Sequence, residues 1–526
     1  MTTAARGWGG ALAAGLIGAV LLVLMARTVL DHPVHYDELL HILSARSLLQ
    51  TGAPLIADGI YTRASVYTHL VAWSFSLFGD DPLSARLPAL AAGAGLAFVL
   101  GVWVVRRLGL LTGVAAAVLL CVVPSTVDVA VFARFYSVHA LLITVMFIAA
   151  YDALQPGRTA GVRAAAMALV VSIVLLGWHF QETTIIAAGA LATAMLSLIA
   201  LDYWTAVAAF ARRRPLLVLF VLVSVAVLGV AVTEYVGLLD QLGTTALWAA
   251  QNASRPHYYL AKFRNELPLL WPLLPAAAVI AVLQPASRRL AVYCLVVVSF
   301  GLLLHSIAAQ KVMRYVYYLV PLMCVVWASA LANLMNSALE CGGKARTPAN
   351  TQHSSSVGWA LVVAALLLSQ EGGRSFKLLM GDVADLETRP FGREPNWMPL
   401  VAQLGPLARK ANQVVTSNSM KALYYFGRYD YELNATIVPE TETGADFGRD
   451  ERTGRQAIGT AESVREVLDR RATTLVVIES SKIGRTSGVT SEAYAVIESH
   501  CSELNLPHSS GVRAWWCNAP PAPRRD

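Results

Sequence analysis

Two adjacent carboxylates, Asp37 and Glu38, stand in the stretch Pro33-Val34-His35-Tyr36-Asp37-Glu38-Leu39-Leu40-His41. The stretch follows directly on an apolar run and opens a polar segment that reaches to about residue 83. A carboxylate within hydrogen-bond reach of a hydroxyl acts as a general base, and a neighbouring cation or metal helps to set its pKa. An acidic pair at such a place also serves as a solvated helix start, favoured by the positive end of the helix dipole. The flanking His35, Tyr36 and His41, with basic residues in the later polar segments, favour the chemical reading.

Those basic residues form a second group. Arg63 lies in Tyr61-Thr62-Arg63-Ala64-Ser65-Val66-Tyr67, and Lys311 and Arg314 lie in Gln310-Lys311-Val312-Met313-Arg314-Tyr315. His257, Tyr258, Tyr259, Lys262 and Arg264 fall together in a segment at 235–266. Guanidinium binds phosphate bidentately and stays charged, so Arg63 and Arg314 point to a phosphate. Long basic side chains that snorkel to lipid headgroups are the alternative for Lys262 and Arg264. A third group comprises Arg134, Tyr136 and His139 in Phe132-Ala133-Arg134-Phe135-Tyr136-Ser137-Val138-His139, together with His179 and Glu182. The three-residue spacing of His179 and Glu182 suits two metal ligands on a helix, although a histidine there also serves as a hydrogen-bonded core residue. A divalent metal is left open. No P-loop, dinucleotide fingerprint or G-x-S-x-G motif occurs.

Helices crossing a membrane must position these groups. Of 526 residues, 56% are hydrophobic and only 14% charged, against about 25% charged in soluble domains. The mean hydropathy is +0.54. Apolar runs able to span a hydrocarbon layer of about 30 Å are predicted at 8–30, 84–105, 108–124, 135–154, 164–178, 183–201, 215–234, 267–285, 290–308, 312–336 and 356–371. The net charge of +7 lies largely in short clusters between these runs, which reads as topology rather than as nucleic-acid binding. Arg6, Arg106-Arg107, Arg158 with Arg163, Arg212-Arg213-Arg214, Arg288-Arg289 and Lys344 with Arg346 occupy alternate connections. The positive-inside rule then places the N-terminus in the cytoplasm. It sends the 31–83 loop, the 125–134 turn, residues 178–182, the 235–266 loop, the 309–311 turn and the C-terminal region to the outer side. A cleaved signal peptide is not expected, because the first run is longer than a usual h-region and no small-residue cleavage site follows it.

The first outer loop carries two predicted helices, 38–49 and 66–78, the second with Trp73, Phe75 and Phe78. Both read as interfacial, with aromatic residues at headgroup depth. Gly52-Ala53-Pro54 and Gly79-Asp80-Asp81-Pro82 punctuate them as turns. From about residue 372 charges, Gly, Pro, Asn and Thr rise. Strands at 413–416 and 474–478 and helices at 419–426 and 461–471 predict a small α/β domain, with 440–458 read as a mobile loop. The expected organisation is a membrane domain at 1–371 and an extracytoplasmic α/β domain at 372–526. Cys501 and Cys517 pair there if that side is oxidising; Cys121, Cys294, Cys324 and Cys341 read as packing residues.

Taken in order, the Asp-Glu pair opening the first outer loop, Leu77-Phe78-Gly79 before Ala85-Arg86-Leu87-Pro88, the Ala-Arg-x-Tyr at 133–136, and Arg314-Tyr315 with Pro321 carry a resemblance. The chain resembles the GT-C class of polyprenyl-phosphate-sugar-dependent membrane glycosyltransferases, chiefly the family 39 protein mannosyltransferases and the aminoarabinose transferases. The resemblance covers most of residues 30–335. It implies a multi-pass enzyme of the cell inner (plasma) membrane, acting in the cell envelope with its C-terminal domain periplasmic or extracellular. Its partners would be a polyprenyl-phosphate sugar, membrane lipid and a lipid, glycan or protein acceptor.

By position, the resemblance makes Asp37 the catalytic aspartate, with Glu38 beside it. Arg63, Arg314, Tyr315, Lys311, His257 and Tyr258 would serve the donor phosphate, and Arg134, Tyr136, His139, His179 and Glu182 would support. Two departures stand out. Arg63-Ala64-Ser65 occupies the place of a Lys-Pro-Pro found in some aminoarabinose-type relatives, and the second aspartate of the mannosyltransferases is replaced by His139 or by Asp128 upstream. Other readings are a lipid or solute transporter or flippase, or an envelope assembly scaffold. A transporter would show repeated halves with interrupted helices, and no internal symmetry is visible here.

Overall fold

A computed structural model of the chain describes residues 3–214, 216, 223, 255–308, 310–341, 369–381, 395–437, 447–470, 472–485, 488–507 and 511–517. In chain order the elements begin with α1 (Thr3–Ala26), α2 (Tyr36–Thr51), β1 (Leu55–Ile56), β2 (Gly59–Ile60), α3 (Ser65–Phe78) and α4 (Pro82–Leu108). Next come α5 (Leu110–Val122), α6 (Pro124–Ala130), α7 (Tyr136–Ala153), α8 (Ala160–Phe180) and α9 (Thr184–Arg213). After α10 (Tyr258–Glu266), α11 (Leu270–Leu283) and α12 (Pro285–Ile307), two 3-10 turns (Met313–Tyr315 and Tyr317–Leu319) lead into α13 (Val320–Cys341). Then follow α14 (Gln370–Met380), α15 (Val401–Lys410), β3 (Gln413–Thr416), α16 (Ser419–Phe426), β4 (Tyr431–Leu433), β5 (Phe447–Arg449) and β6 (Gln456–Ile458). The last are α17 (Ala461–Asp469), β7 (Thr474–Glu479), α18 (Ser491–His500), β8 (Ser502–Glu503) and β9 (Val512–Cys517). They form two compact units, Met1–Leu30 with Arg86–Glu387, and Asp31–Ala85 with Thr388–Asp526. The second unit thus takes in the first polar loop as well as the C-terminal residues.

The first unit is helical, and the protein is a multi-pass membrane protein. Among the described residues, 7 helices are long and apolar enough to cross a membrane, or up to 9 if each of two bent pairs is one span. The bends are 72° between α5 and α6 and 100° between α10 and α11. These match the predicted spans except 215–234 and 356–371, which lie almost wholly outside the described residues, so a count of eleven is not established. Small residues allow close helix approach: a Cβ on Gly18 of α1 would lie 2.8 Å from the Ala117 Cβ of α5. The Arg107 guanidinium pairs with Asp152, and Arg289 pairs with Asp202 at 2.5 Å. At the α10–α11 bend, Pro268 interrupts the helix and leaves amides that no helical carbonyl reaches. Glu371 of α14, itself buried, accepts from the Leu269 and Leu270 amides at 2.8 and 3.3 Å.

The second unit contains a sheet of order β5-β6-β4-β3-β7-β9-β8. Strands β6, β4, β3 and β7 run parallel, and β5, β9 and β8 add antiparallel edges. Every residue of β7 is buried, as a parallel strand covered on both faces requires. One core gathers Val464, Val467, Val496, Ile497 and Trp515, and the other Trp397, Leu404, Val414, Tyr429 and Leu475. Helix α2 packs on α3, β1 and α16. Its buried His41 bonds Thr68 at 2.9 Å and meets the rings of Tyr61 and Tyr67 edge-on. Helix α3 leaves Trp73, Leu77 and Phe78 exposed.

The strands predicted at 413–416 and 474–478 and the helices at 419–426 and 461–471 are all present, the last ending at Asp469. The segment read as mobile is corrected in part: 447–458 is a hairpin, ordered because β6 pairs with β4. The β1–β2 hairpin was not foreseen. Cys501 and Cys517 form a disulfide, while Cys121, Cys294 and Cys324 are free and buried. Cross-linking positions separated by 16 residues contributes about 3 kcal/mol by restricting the unfolded chain. The Cys501→Ser/Cys517→Ser protein should therefore lose about that much protection at the β9 amides in hydrogen exchange, with α7 and α12 unchanged. Unaltered β9 protection would count against this contribution.

Candidate functional site

The carboxylate pair begins α2. His35 is the N-cap: its Nδ1 accepts from the Asp37 amide at 3.0 Å, and its own amide donates to the Glu38 carboxylate at 2.9 Å. This reciprocal arrangement satisfies two donors that a helix start would otherwise leave unpaired. It also separates the roles of the two acids. Glu38 is 1% exposed and its carboxylate closes the cap. Asp37 is half-buried, and it is the Asp37 amide that makes the cap bond. Within a turn of the helix start, the pair also sits where the dipole favours negative charge.

Around Tyr36, the first residue of α2, lie groups from the sheet. The hydroxyl of Tyr36 accepts from Arg452 Nη1 at 2.6 Å, and the Lys482 ammonium sits 5.9 Å from the ring centre. Burial pushes the Tyr36 phenol well above its usual range, against the lowering effect of Arg452. Glu432, also buried, is held above the usual carboxylate range by burial and then by Asp450. Arg63 is exposed in the turn before α3. Ala64 there has φ +49°, a left-handed conformation that an L-residue adopts at some cost.

The basic residues of the first unit gather at the start of α7 and the 3-10 turns. Arg134, 2% exposed, places its guanidinium 5.3 Å from the Phe135 ring centre and 5.9 Å from that of Tyr136. Arg314 approaches the same Tyr136 ring at 5.3 Å, and Tyr315 lies 6.5 Å from it. Arg314 also interacts electrostatically with Tyr258. Aromatic faces attract cations, so Tyr136 gathers two guanidiniums, a concentration of positive charge suited to a phosphate. Lys311 is 1% exposed and donates to the Ala308 carbonyl at 2.7 Å. His257 is exposed just before α10.

The remaining predicted residues of the first unit have other described contacts. His139 bonds Thr184 at 2.9 Å and meets Tyr318 edge-on, tying α7 to the start of α9. Asp128 pairs with Arg374 at 2.8 Å. His179 and Glu182 are both exposed, and among the described residues no cluster of three or more His, Cys, Asp or Glu is placed to hold a metal ion. Arg134, Tyr136, Arg314, Tyr315 and Tyr258 are thus brought together in one unit, while Asp37, Glu38 and Arg63 belong to the other. Sequence reasoning missed Arg452, which lay in the segment read as a mobile loop; Asp450 two residues before it is the only local signal, and a weak one.

No family model and no curated protein sequence matches the chain. Solved structures do. ArnT from Cupriavidus metallidurans bound to undecaprenyl phosphate superposes with a TM-score of 0.60 over 95% of this chain and 97% of that one, at 14% identity. Its apo state gives 0.58 over 98% of each, at 15% identity. The Archaeoglobus fulgidus oligosaccharyltransferase tethered with an acceptor peptide containing the NVT sequon gives 0.53 over 92% of this chain and 72% of that one, at 11% identity. Nearly the whole chain, from the bent helix pairs to the C-terminal sheet, therefore has the fold of the GT-C glycosyltransferases.

Proposed function

We propose that the protein is an inverting glycosyltransferase that moves a sugar from a polyprenyl-phosphate donor to an acceptor hydroxyl at the outer face of the membrane. The observation that carries this reading is a half-buried Asp37, seated by a histidine cap at a helix start, in a fold shared along its length with a protein solved bound to undecaprenyl phosphate. In the proposed step, the acceptor oxygen attacks the anomeric carbon and its proton passes to the Asp37 carboxylate. The bond between that carbon and the phosphate oxygen breaks, and its electron pair leaves with the polyprenyl phosphate. The sugar inverts because a single displacement occurs. Arg63 and Arg314 neutralise the charge that builds on the departing oxygen. Stabilisation that grows toward the transition state raises kcat rather than merely tightening binding. Glu38 serves the cap.

The test uses purified full-length protein in lipid with a panel of polyprenyl-phosphate sugars, following release of free polyprenyl phosphate. Asp37→Asn should lower turnover about 10²–10⁴-fold with donor affinity nearly unchanged; near-normal turnover would remove Asp37 from the role. Glu38→Gln, which keeps an acceptor for the His35 amide, should retain most activity, and its inactivity would shift the base to Glu38. Arg314→Ala should lower kcat by about 10²–10³-fold. A change confined to donor KM would reduce Arg314 to a ground-state contact.

A further inference from the structure

The turn between β5 and β6 is Asp450-Glu451-Arg452-Thr453-Gly454-Arg455. It is closed by its own backbone: the Asp450 amide donates to the Arg455 carbonyl at 2.9 Å, and the Gly454 amide to the Asp450 carbonyl at 2.7 Å. Asp450, 3% exposed, fixes Arg452. Its Oδ1 accepts from the Arg452 amide and Nε, both at 3.0 Å, and its Oδ2 accepts from Nη2 at 3.2 Å. A guanidinium held along one edge by both oxygens of a carboxylate has little freedom left, and the remaining Nη1 points to the Tyr36 hydroxyl at 2.6 Å. Tyr36 immediately precedes Asp37.

The same turn grips the first polar loop at a second place. The Thr453 carbonyl accepts from the Asp58 amide at 2.9 Å, and Arg455 Nε donates to the Asp58 carboxylate at 3.1 Å. The turn also approaches Gly59 so closely that a Cβ there would collide with the Arg452 carbonyl. Gly454, at φ +70°, faces Asp58 with room for a Cβ at no more than 3.0 Å from its carbonyl carbon. Both contacts thus need glycine for close backbone approach. The Thr453 hydroxyl is in turn anchored to the buried Tyr429 hydroxyl at 2.5 Å, so the grip is braced from the sheet.

We propose that the 450–455 turn is a clasp through which the C-terminal sheet fixes the loop bearing Asp37, with Arg452 as a positioning residue for the transfer. The inference rests on the reading of Asp37 as base. Reaction geometry tolerates little error: a misplacement of about 1 Å costs about 10²-fold in rate. An α2 start whose Tyr36 is released from Arg452 would lose that precision without losing the donor.

The test compares wild type with Arg452→Ala, Arg452→Lys and Tyr36→Phe, all full-length in lipid, by hydrogen exchange and by polyprenyl phosphate release. Arg452→Ala should speed exchange in peptides covering 36–41 and 57–61 at least about tenfold, while the β3 and β7 peptides stay protected. It should lower kcat about 10²-fold with donor KM within about threefold. Tyr36→Phe, which keeps the ring and removes only the hydroxyl, should reproduce the fall in kcat, and Arg452→Lys should recover part of it. Unchanged exchange at 36–41 and 57–61 would overturn the clasp. Equal loss of protection at β3 and β7 would overturn it too, by making Arg452 a general stability residue. Loosened loops with full kcat would overturn the positioning role. Loosened loops in a protein whose Asp37→Asn variant still turns over would sustain the clasp and overturn the reading of Asp37 instead.

Discussion

In hydrocarbon, every backbone amide and carbonyl needs a partner from the protein, because water is not there to supply one. That constraint organises the first unit. Long helices meet it internally, so the chain leaves helical geometry only at bends and ends, and there side chains must take over. Pro124 opens the bend between α5 and α6, and Glu371 reaches across from α14 to the amides freed at the second bend. The groups with chemical potential lie at these interruptions. Arg134 occupies the turn between α6 and α7, and Arg314 and Tyr315 occupy the 3-10 turn before α13. Arg134 and Arg314 therefore stand in short non-helical segments, while the ion pairs Arg107–Asp152 and Arg289–Asp202 join one helix to another.

The second unit follows a different rule. From β3 the chain passes outward to β4 and β6, then returns to the opposite side of β3 with β7. Open parallel sheets of this kind bind ligands in the crevice where the order reverses. Here that place is filled from within. The Glu479 carboxylate at the end of β7 accepts from Lys421, Asn418 and the Trp397 indole at 2.9, 3.0 and 3.1 Å. The crevice occupied by this ion pair also meets the first polar loop, because Lys482, which donates to the Ser417 carbonyl there, sits beside the Tyr36 ring.

Much of the architecture was legible because it rests on local pattern. Apolar runs of spanning length located the long helices, and continuous apolar stretches located β3 and β7, since strands buried on both faces have no polar alternation. Strands β5 and β6 were hidden. Each has three residues, and β6 is held by pairing with β4, a partner that composition does not announce. The site divides in the same way. Asp37 and Glu38 stood out through their position beside a predicted helix, but their different duties depend on which one closes the His35 cap. His139 allowed two readings, a supporting site residue or a hydrogen-bonded core residue; its hydrogen bond joins it to Thr184, 45 residues away, a partner that local sequence does not announce. Arg452 could not have been found, because Tyr36 lies 416 residues before it.

That separation bears on how the protein is made. The loop at 31–85 leaves the ribosome about 300 residues before the chain that completes its unit begins at Thr388, and domains generally assemble as units during synthesis. At the 5–20 residues per second typical of translation, the interval is about 15–60 seconds. Throughout it the α2 segment, with its buried-to-be Glu38 and His41, lacks the sheet that will hold it. The several helices inserted meanwhile separate the two halves in time as well as in sequence. Completion of the carboxylate-bearing loop is thereby a late event in biogenesis, tied to arrival of the last domain, so the chain assembles this part of its structure only once nearly all of it has been synthesised.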